Sequence, residues 1–243
     1  MAAGLAVDDW RHWFEVNPAV CISQWRFGAD AVYTRPYGLT GLNCGKLGVN
    51  LRQRNVALGV GIHIVGIEGA EELKTKIGLG LEPVSSVKVG IGIGALIQDM
   101  RYYGVDWAPV FDIGVLYQKD KLSFGLSGKQ LNSPRLKNGD EVPYHLGVGV
   151  AWEPISSLLL TLDLYREGRD EGGAAGVEIR FFPELAIRAG VGTMPFHWCA
   201  GVGIRLGCFH LDNHQAQFGL DYSYQLHPEL GDTHIFSINW GWN

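Results

Sequence analysis

The stretch Gln215-Ala216-Gln217-Phe218-Gly219-Leu220-Asp221-Tyr222-Ser223-Tyr224-Gln225-Leu226 alternates without a break. Ala216, Phe218, Leu220, Tyr222, Tyr224 and Leu226 fall on one side of an extended chain; Gln215, Gln217, Gly219, Asp221, Ser223 and Gln225 fall on the other. Successive side chains of a β-strand point to opposite faces, so this segment is a strand with one wholly apolar face. Thr233 to Trp242 repeats the pattern, with His234, Phe236, Ile238, Trp240 and Trp242 opposite Thr233, Ile235, Ser237, Asn239 and Gly241. Upstream, Val56, Leu58, Val60, Ile62 and Ile64 oppose Ala57, Gly59, Gly61, His63 and Val65. Val87, Val89, Ile91 and Ile93 likewise oppose Lys88, Gly90, Gly92 and Gly94.

Extended along the chain, this reading predicts about fourteen strands. They lie near residues 21–34, 39–51, 55–66, 72–82, 86–98, 107–118, 120–130, 143–153, 157–166, 174–182, 184–192, 197–207, 213–226 and 232–242. Short connections are expected at Arg52–Arg54, Glu82–Ser86, Lys119-Asp120, Glu153–Ser157 and Pro183, and longer ones around 99–106, 131–142 and 167–173. That alternation fits a barrel with tight turns at one end and loops at the other. The segments Leu79–Ser86 and Val148–Ser157 echo each other through Glu-Pro-x-Ser-Ser, which reads as recurring turn chemistry.

Composition narrows the class. The chain has 34 glycines in 243 residues, about twice the usual share of roughly 7%. No Gly-x-y triplet persists and 47% of the chain is hydrophobic, which excludes both collagen and a disordered polymer. A net charge of -5 leaves no electrostatic footprint for nucleic acid. Charges, His or dense Gly interrupt every apolar run before the 18 or so residues that a transmembrane helix needs. The N-terminus shows neither a basic region nor an apolar core, so a secretory signal is expected to be absent from, or already removed in, this chain. Four cysteines are too few for a disulfide scaffold and fix no compartment.

The two strand faces decide between water and lipid. A soluble barrel hides its apolar face and shows water a face rich in Lys, Glu and Thr. Here the polar face is largely Gly, Ser, Asn and Gln, with scattered charges at Arg26, Asp30, Lys46, His63, Lys74, Lys76, Lys88, Asp112, Asp163, Glu178, Arg180, Arg188, Arg205 and Asp221. Such a face suits a crowded lumen. The apolar face carries Leu, Val, Ile and Phe in strand middles, with Trp25, Tyr33, Tyr117, Trp152, Trp198, Tyr224, Trp240 and Trp242 near strand ends. That is the pattern of a lipid-facing band between aromatic girdles. The expected fold is therefore all-β: a transmembrane antiparallel up-and-down barrel occupying 21–243, preceded by a short plug-like segment, 1–20. A soluble barrel is the alternative.

Several residues together resemble the outer-membrane barrels typified by the FadL fatty-acid transporters and, more closely, the PorV/PorQ-like proteins associated with type IX secretion. The carriers are Asn17-Pro18-Ala19, Gly176–Phe181 with Leu185–Gly190, and Glu229–Ile238. The resemblance implies a fourteen-stranded barrel in a bacterial outer membrane, in contact with membrane lipid or lipopolysaccharide. It also implies that small hydrophobic molecules are bound or passed; a non-transporting scaffold for a secretion or surface complex, in contact with its subunits, is the alternative. Residues Asn17, Pro18 and Ala19 stand for the family's plug motif. Only a stub built on Ala6 to Ala19 is available as a hatch, and the long loops of the family are missing.

Chemistry is sparse at this level. The Gly-x-Gly runs lie inside strands and open no helix, so they are not phosphate loops. His197-Trp198-Cys199 and Cys208-Phe209-His210 with His214 look like metal ligands, but nine strand residues at about 3.3 Å each hold Cys199 and Cys208 roughly 30 Å apart. Cys208, His210 and His214 could still meet at one rim. No metal and no cofactor are expected, and no nucleophile motif marks an enzyme. The candidate lumen or ligand residues are Arg26, Asp30, His63, Lys88, Asp163, Glu178, Arg180, Arg188, Arg205 and Asp221. Pairs such as Glu178 with Arg180, near Arg188 and Arg205, either fill and pin the interior or line a polar path; filling is the preferred reading, because enclosed charges are tolerated chiefly in pairs.

Overall fold

The alternating segments pair side by side as antiparallel neighbours, and the last returns to the first. In the computed structural model, which describes residues 4–22, 24–136, 139, 141–211 and 214–243, the strands are β1 (Phe27–Arg35), β2 (Asn43–Gln53), β3 (Val56–Ile67), β4 (Ala70–Val84), β5 (Val87–Met100), β6 (Gly104–Lys119) and β7 (Leu122–Lys129). They continue as β8 (His145–Ile155), β9 (Leu158–Glu167), β10 (Asp170–Phe182), β11 (Leu185–Thr193), β12 (Phe196–Leu211), β13 (His214–His227) and β14 (Gly231–Trp242). Each strand pairs with its sequence neighbours, and β1 pairs with β14 from Phe27↔Trp242 to Arg35↔His234, closing a fourteen-stranded barrel. Closure removes the free edges that would otherwise need covering.

At one end the connections among the described residues are tight. Arg54-Asn55, Ser85-Ser86, Asp120-Lys121, Ser156-Ser157 and Pro183-Glu184 each join two strands. The opposite end carries the 36–42 segment and the 130–144 loop as well as tight turns. Two connections expected to be long are short. Strands β5 and β6 run on to residues 101–103, and β9 and β10 to 168–169, where Gly168 takes the left-handed conformation (φ 57) that a two-residue turn requires. The echoed Glu-Pro segments have a common role: register slips between Leu81 and Val84 and between Trp152 and Ile155. Proline has no N–H for the ladder, so each Glu-Pro pair bulges out of it.

The exterior is apolar. Leu47, Val49, Leu58, Val60, Ile77, Ile93, Leu126, Val148, Leu162, Leu164, Ile187 and Ile238 are exposed in strand middles. Tyr33, Trp107, Phe196, Trp198 and Phe236 ring the loop end, and Tyr117, Phe124, Trp152, Phe181, Trp240 and Trp242 ring the tight-turn end. No soluble surface is built this way, because apolar patches beyond a few hundred Å² mark contact with lipid or a partner.

The first strand begins later than its alternation implies. Pro18–Cys21 is a 3-10 turn, with the Asn17 side chain accepting the Ala19 N–H at 3.0 Å, and β1 starts at Phe27. Trp25 is correspondingly not part of the girdle. It is buried, and its indole occupies the space a Cβ on Gly241 would need, 2.6 Å away.

Candidate functional site

The interior is occupied by the chain's own N-terminal segment. Ala6, Trp13, Phe14, Ala19, Val20, Cys21 and Ile22 form one buried cluster with the wall residues Ala57, Leu116, Ala151 and Leu159. Trp13 and Phe14 meet edge to face with centroids 5.5 Å apart. The wall makes room by glycine. A Cβ on Gly78 would lie 2.6 Å from the Trp13 ring, one on Gly59 2.9 Å from Trp13 and Cys21, and one on Gly147 2.6 Å from Leu5. Cβ atoms on Gly90, Gly114 and Gly125 would strike Pro18, Asn17 and the Leu5 carbonyl. Glycine in a strand interior marks close approach of another backbone, and here the approaching backbone is the plug.

Polar wall residues tie down what the glycines admit. Lys46 donates to the Arg11 carbonyl at 2.8 Å, Lys76 to that of Phe14 at 2.9 Å and Lys129 to that of Glu15 at 2.6 Å. Asp163 accepts the Gly4 and Leu5 N–H groups at 2.6 and 3.0 Å. Asn17 donates to the Leu5 and Val115 carbonyls at 2.9 and 3.2 Å, joining both ends of the plug to β6. Backbone groups of Gly4, Leu5, Arg11, Phe14 and Glu15 thus find partners on side chains of the wall or of Asn17, as enclosed backbone requires.

Charges continue the plug into the barrel as a relay. Arg11 pairs with Asp9 and reaches Asp221 at 2.7 Å; Arg188 takes the other Asp221 oxygen at 2.5 Å and Glu178 at 2.6 Å. Arg180 holds the second Glu178 oxygen at 2.7 Å and Glu153 at 2.9 Å. Burial opposes ionisation of Asp9, but Arg11 outweighs it and holds the carboxyl well below the usual range. Asp30 pairs with Lys46 at 3.0 Å, and Lys88 with Asp8 at 2.5 Å.

The candidate residues thus separate. Asp30, Lys88, Glu178, Arg180, Arg188 and Asp221 lie in the interior in ion pairs, and Asp163 lies there with the plug N–H groups of Gly4 and Leu5 as its partners. Arg205 is exposed near the tight-turn end and, among the described residues, forms no salt bridge. Arg26 sits on the tight-turn rim beside Arg52 and Arg54, where its N–H donates to Asn243 at 3.2 Å. The side chains of Cys208, His210 and His214 lie outside the described residues.

His63 belongs to a group that sequence spacing does not reveal. Its Nε2 is 2.9 Å from the Cys44 sulfur, and its Nδ1 is 3.6 Å from the Glu15 carboxylate. Cys44 comes from β2, His63 from β3 and Glu15 from the plug. Nothing in the linear sequence brings the three together except the barrel register.

Above this group lies the loop-end mouth. Leu136 and Val142 of the 130–144 loop fold inward onto Leu96, Ala108 and Val110. Beside them, the 36–42 segment leans over the inner rim of β3, β4 and β5 and leaves a cleft of about 490 Å³. Leu39, Leu42, Val65, Ile67 and Met100 line it, with Glu72 and Gln98 joined at 3.3 Å along one side. Small-molecule sites are typically concave and mostly apolar, with a few polar groups to orient the ligand.

No family model matches the chain, and no curated protein does. Solved structures do. The chain is similar to the CymD monoaromatic hydrocarbon channel at 12% identity and a TM-score of 0.67, over 98% of this chain and 94% of that one. It is similar to a Pseudomonas aeruginosa FadL homologue at 11% identity and 0.67, over 99% and 95%. It is also similar to the Pseudomonas putida toluene transporter TodX at 10% identity and 0.59, over 99% and 94%. At such identities the likeness is one of fold: the chain shares the barrel fold of these channels.

Proposed function

We propose that the protein is a Gram-negative outer-membrane barrel that takes up small hydrophobic molecules at its loop-end mouth and admits them past the plug formed by its N-terminal segment. The carrying observation is the apolar cleft at the inner rim of the mouth of a barrel whose interior holds the N-terminal segment. The fold shared with hydrocarbon channels supports the reading, as does an exterior that needs lipid around it. In this reading the tight turns face the periplasm and the loops face outward, the usual orientation of such barrels. The charge relay holds the plug and is not a solute path, because its members are paired.

Reconstituted liposomes test it. Uptake of a monoaromatic probe such as toluene should exceed that of protein-free vesicles, and Leu42→Asp in the cleft should suppress it while the barrel stays intact. Uptake no better than empty vesicles would remove the transport claim.

The finer likeness to PorV/PorQ-like proteins rests on Asn17-Pro18-Ala19 and the short segments near residues 176–190 and 229–238, and carries the alternative of a scaffold subunit. Cross-linking in native membranes separates the two readings, since a scaffold is recovered with a stoichiometric partner and a channel alone is not.

A further inference from the structure

Below the cleft, the register of β2 and β3 sets a thiol beside an imidazole, and the plug brings a carboxylate to the other side of the ring. Cys44 is the cross-strand partner of Val65, which lines the cleft, and His63 lies two residues further down the same inward face of β3. The thiol and the His63 Nε2 are at hydrogen-bond distance for sulfur, 2.9 Å. Glu15, on the mouth side of the plug, sits 3.6 Å from the opposite ring nitrogen and leaves 45% of its side chain exposed, so the group is reached from the vestibule. A carboxylate beside Nδ1 favours the tautomer that leaves the Nε2 lone pair aimed at the thiol. Lys74, the cross-strand partner of His63, adds a cation on the same face, paired with Glu72 at 3.3 Å.

From this arrangement we propose that Cys44, His63 and Glu15 form a thiol-addition site for small α,β-unsaturated carbonyl compounds entering through the cleft. The Cys44 sulfur bonds to the β-carbon of the alkene as His63 Nε2 takes the thiol proton. The C=C π pair moves toward the carbonyl as an enolate, and the proton returns from His63 to the α-carbon. Nothing leaves, and no oxidant or further reactant is consumed. His63 acts as base, and Glu15 is a positioning residue that steadies the imidazolium. The entry route rests on the proposed hydrophobic-uptake reading; the thiol chemistry does not.

Limiting N-ethylmaleimide added to the purified barrel in detergent, followed by peptide mass mapping over time, tests the proposal. Cys199, a half-buried free thiol on the inner face of β12, is the internal reference, and Cys21 is fully buried. Cys44 should react first, about tenfold or more ahead of Cys199. A general base typically contributes about 10²–10⁴-fold, so His63→Ala should slow Cys44 labelling by at least about tenfold, and added imidazole should restore part of the rate. His63→Gln, which can still hydrogen-bond but cannot shuttle the proton, should be as slow, so the result does not depend on one variant folding well. Glu15→Gln should give a smaller loss. Cys44 labelled no faster than Cys199, or labelled at an unchanged rate in both His63 variants, would reduce the cluster to interior packing. Cys44→Ser should leave toluene uptake unchanged, so loss of uptake and loss of thiol reactivity are separate outcomes.

Discussion

Gly90 shows how a single missing side chain sets the interior. A Cβ there would collide with the Pro18 carbonyl carbon and the Ala19 nitrogen, which are backbone atoms and cannot rotate away. Overpacking of a fitted interior costs about 1–3 kcal/mol, so Gly90→Ala should lower the unfolding midpoint in detergent or loosen the plug. Gly45→Ala, whose Cβ would sit 4.0 Å from the Val32 carbonyl oxygen, should not. His12 gives the residue-scale pH dependence. Its Nδ1 is buried without a hydrogen-bond partner, and burial pushes its pKa down from 6.5 to about 4. The unfolded chain therefore binds more protons than the folded one between about pH 6.5 and 4, and stability falls as pH falls through that window. Asp8, raised by burial, acts in the opposite sense, so the readout is the difference between wild type and His12→Gln. Thermal midpoints taken at pH 7.5, 6 and 5 should decline more steeply for wild type; parallel curves would show that His12 is not held neutral.

At the scale of elements, the plug and the wall are held together by the Asp9–Arg11–Asp221–Arg188–Glu178 relay, which joins the N-terminal segment to β10, β11 and β13. Removing one partner from an enclosed ion pair leaves the other uncompensated, at about 3–5 kcal/mol. Asp221→Asn should therefore destabilise more than Arg205→Gln, which removes a charge with no salt bridge. Amide exchange of residues 4–22 should rise in the first variant only; equal protection in both would disprove the relay's role. This relay also marks where sequence reading stops. Period-two alternation carried the strand number, the apolar exterior and the inward side of Asp221, because strand faces follow from local pattern. It could not carry the pairing of Arg11 with Asp221, 210 residues away, since that contact is set by where the plug lies. The same limit explains Trp25: alternation through residues 21–26 imitates a strand, while the fold uses those side chains to fill the floor. It explains the cluster at Cys44 as well, where β2, β3 and the plug each supply one member. A connection around 167–173 was legible, but its tightness at Gly168 depends on both strands running fully to it.

For the whole molecule, the balance lies between a wall that is complete by itself and a lumen that is not. The hydrogen-bond ladder closes through β1 and β14 without help from residues 4–22, and the exterior is finished by lipid. A barrel of eight strands is just filled by its own inward side chains, whereas sixteen to eighteen leave an aqueous channel. Fourteen strands with a wall rich in inward glycine leave space that the plug occupies. Deletion of residues 4–22 should accordingly give a chain that still inserts into planar bilayers but conducts steadily where the full chain is nearly closed. The selectivity of that current is fixed by what departs: Asp8, Asp9, Glu15 and Arg11, three acidic groups and one basic, a net loss of two negative charges. Lys88 then loses Asp8, and Lys46, Lys76 and Lys129 lose the carbonyls they donate to. The opened lumen should be anion-selective, read as the sign of the reversal potential in a KCl gradient. A cation-selective current would mean that the wall carboxylates, not the lysines, dominate the emptied lumen, and a silent bilayer would mean that the plug belongs to the folding core of the barrel.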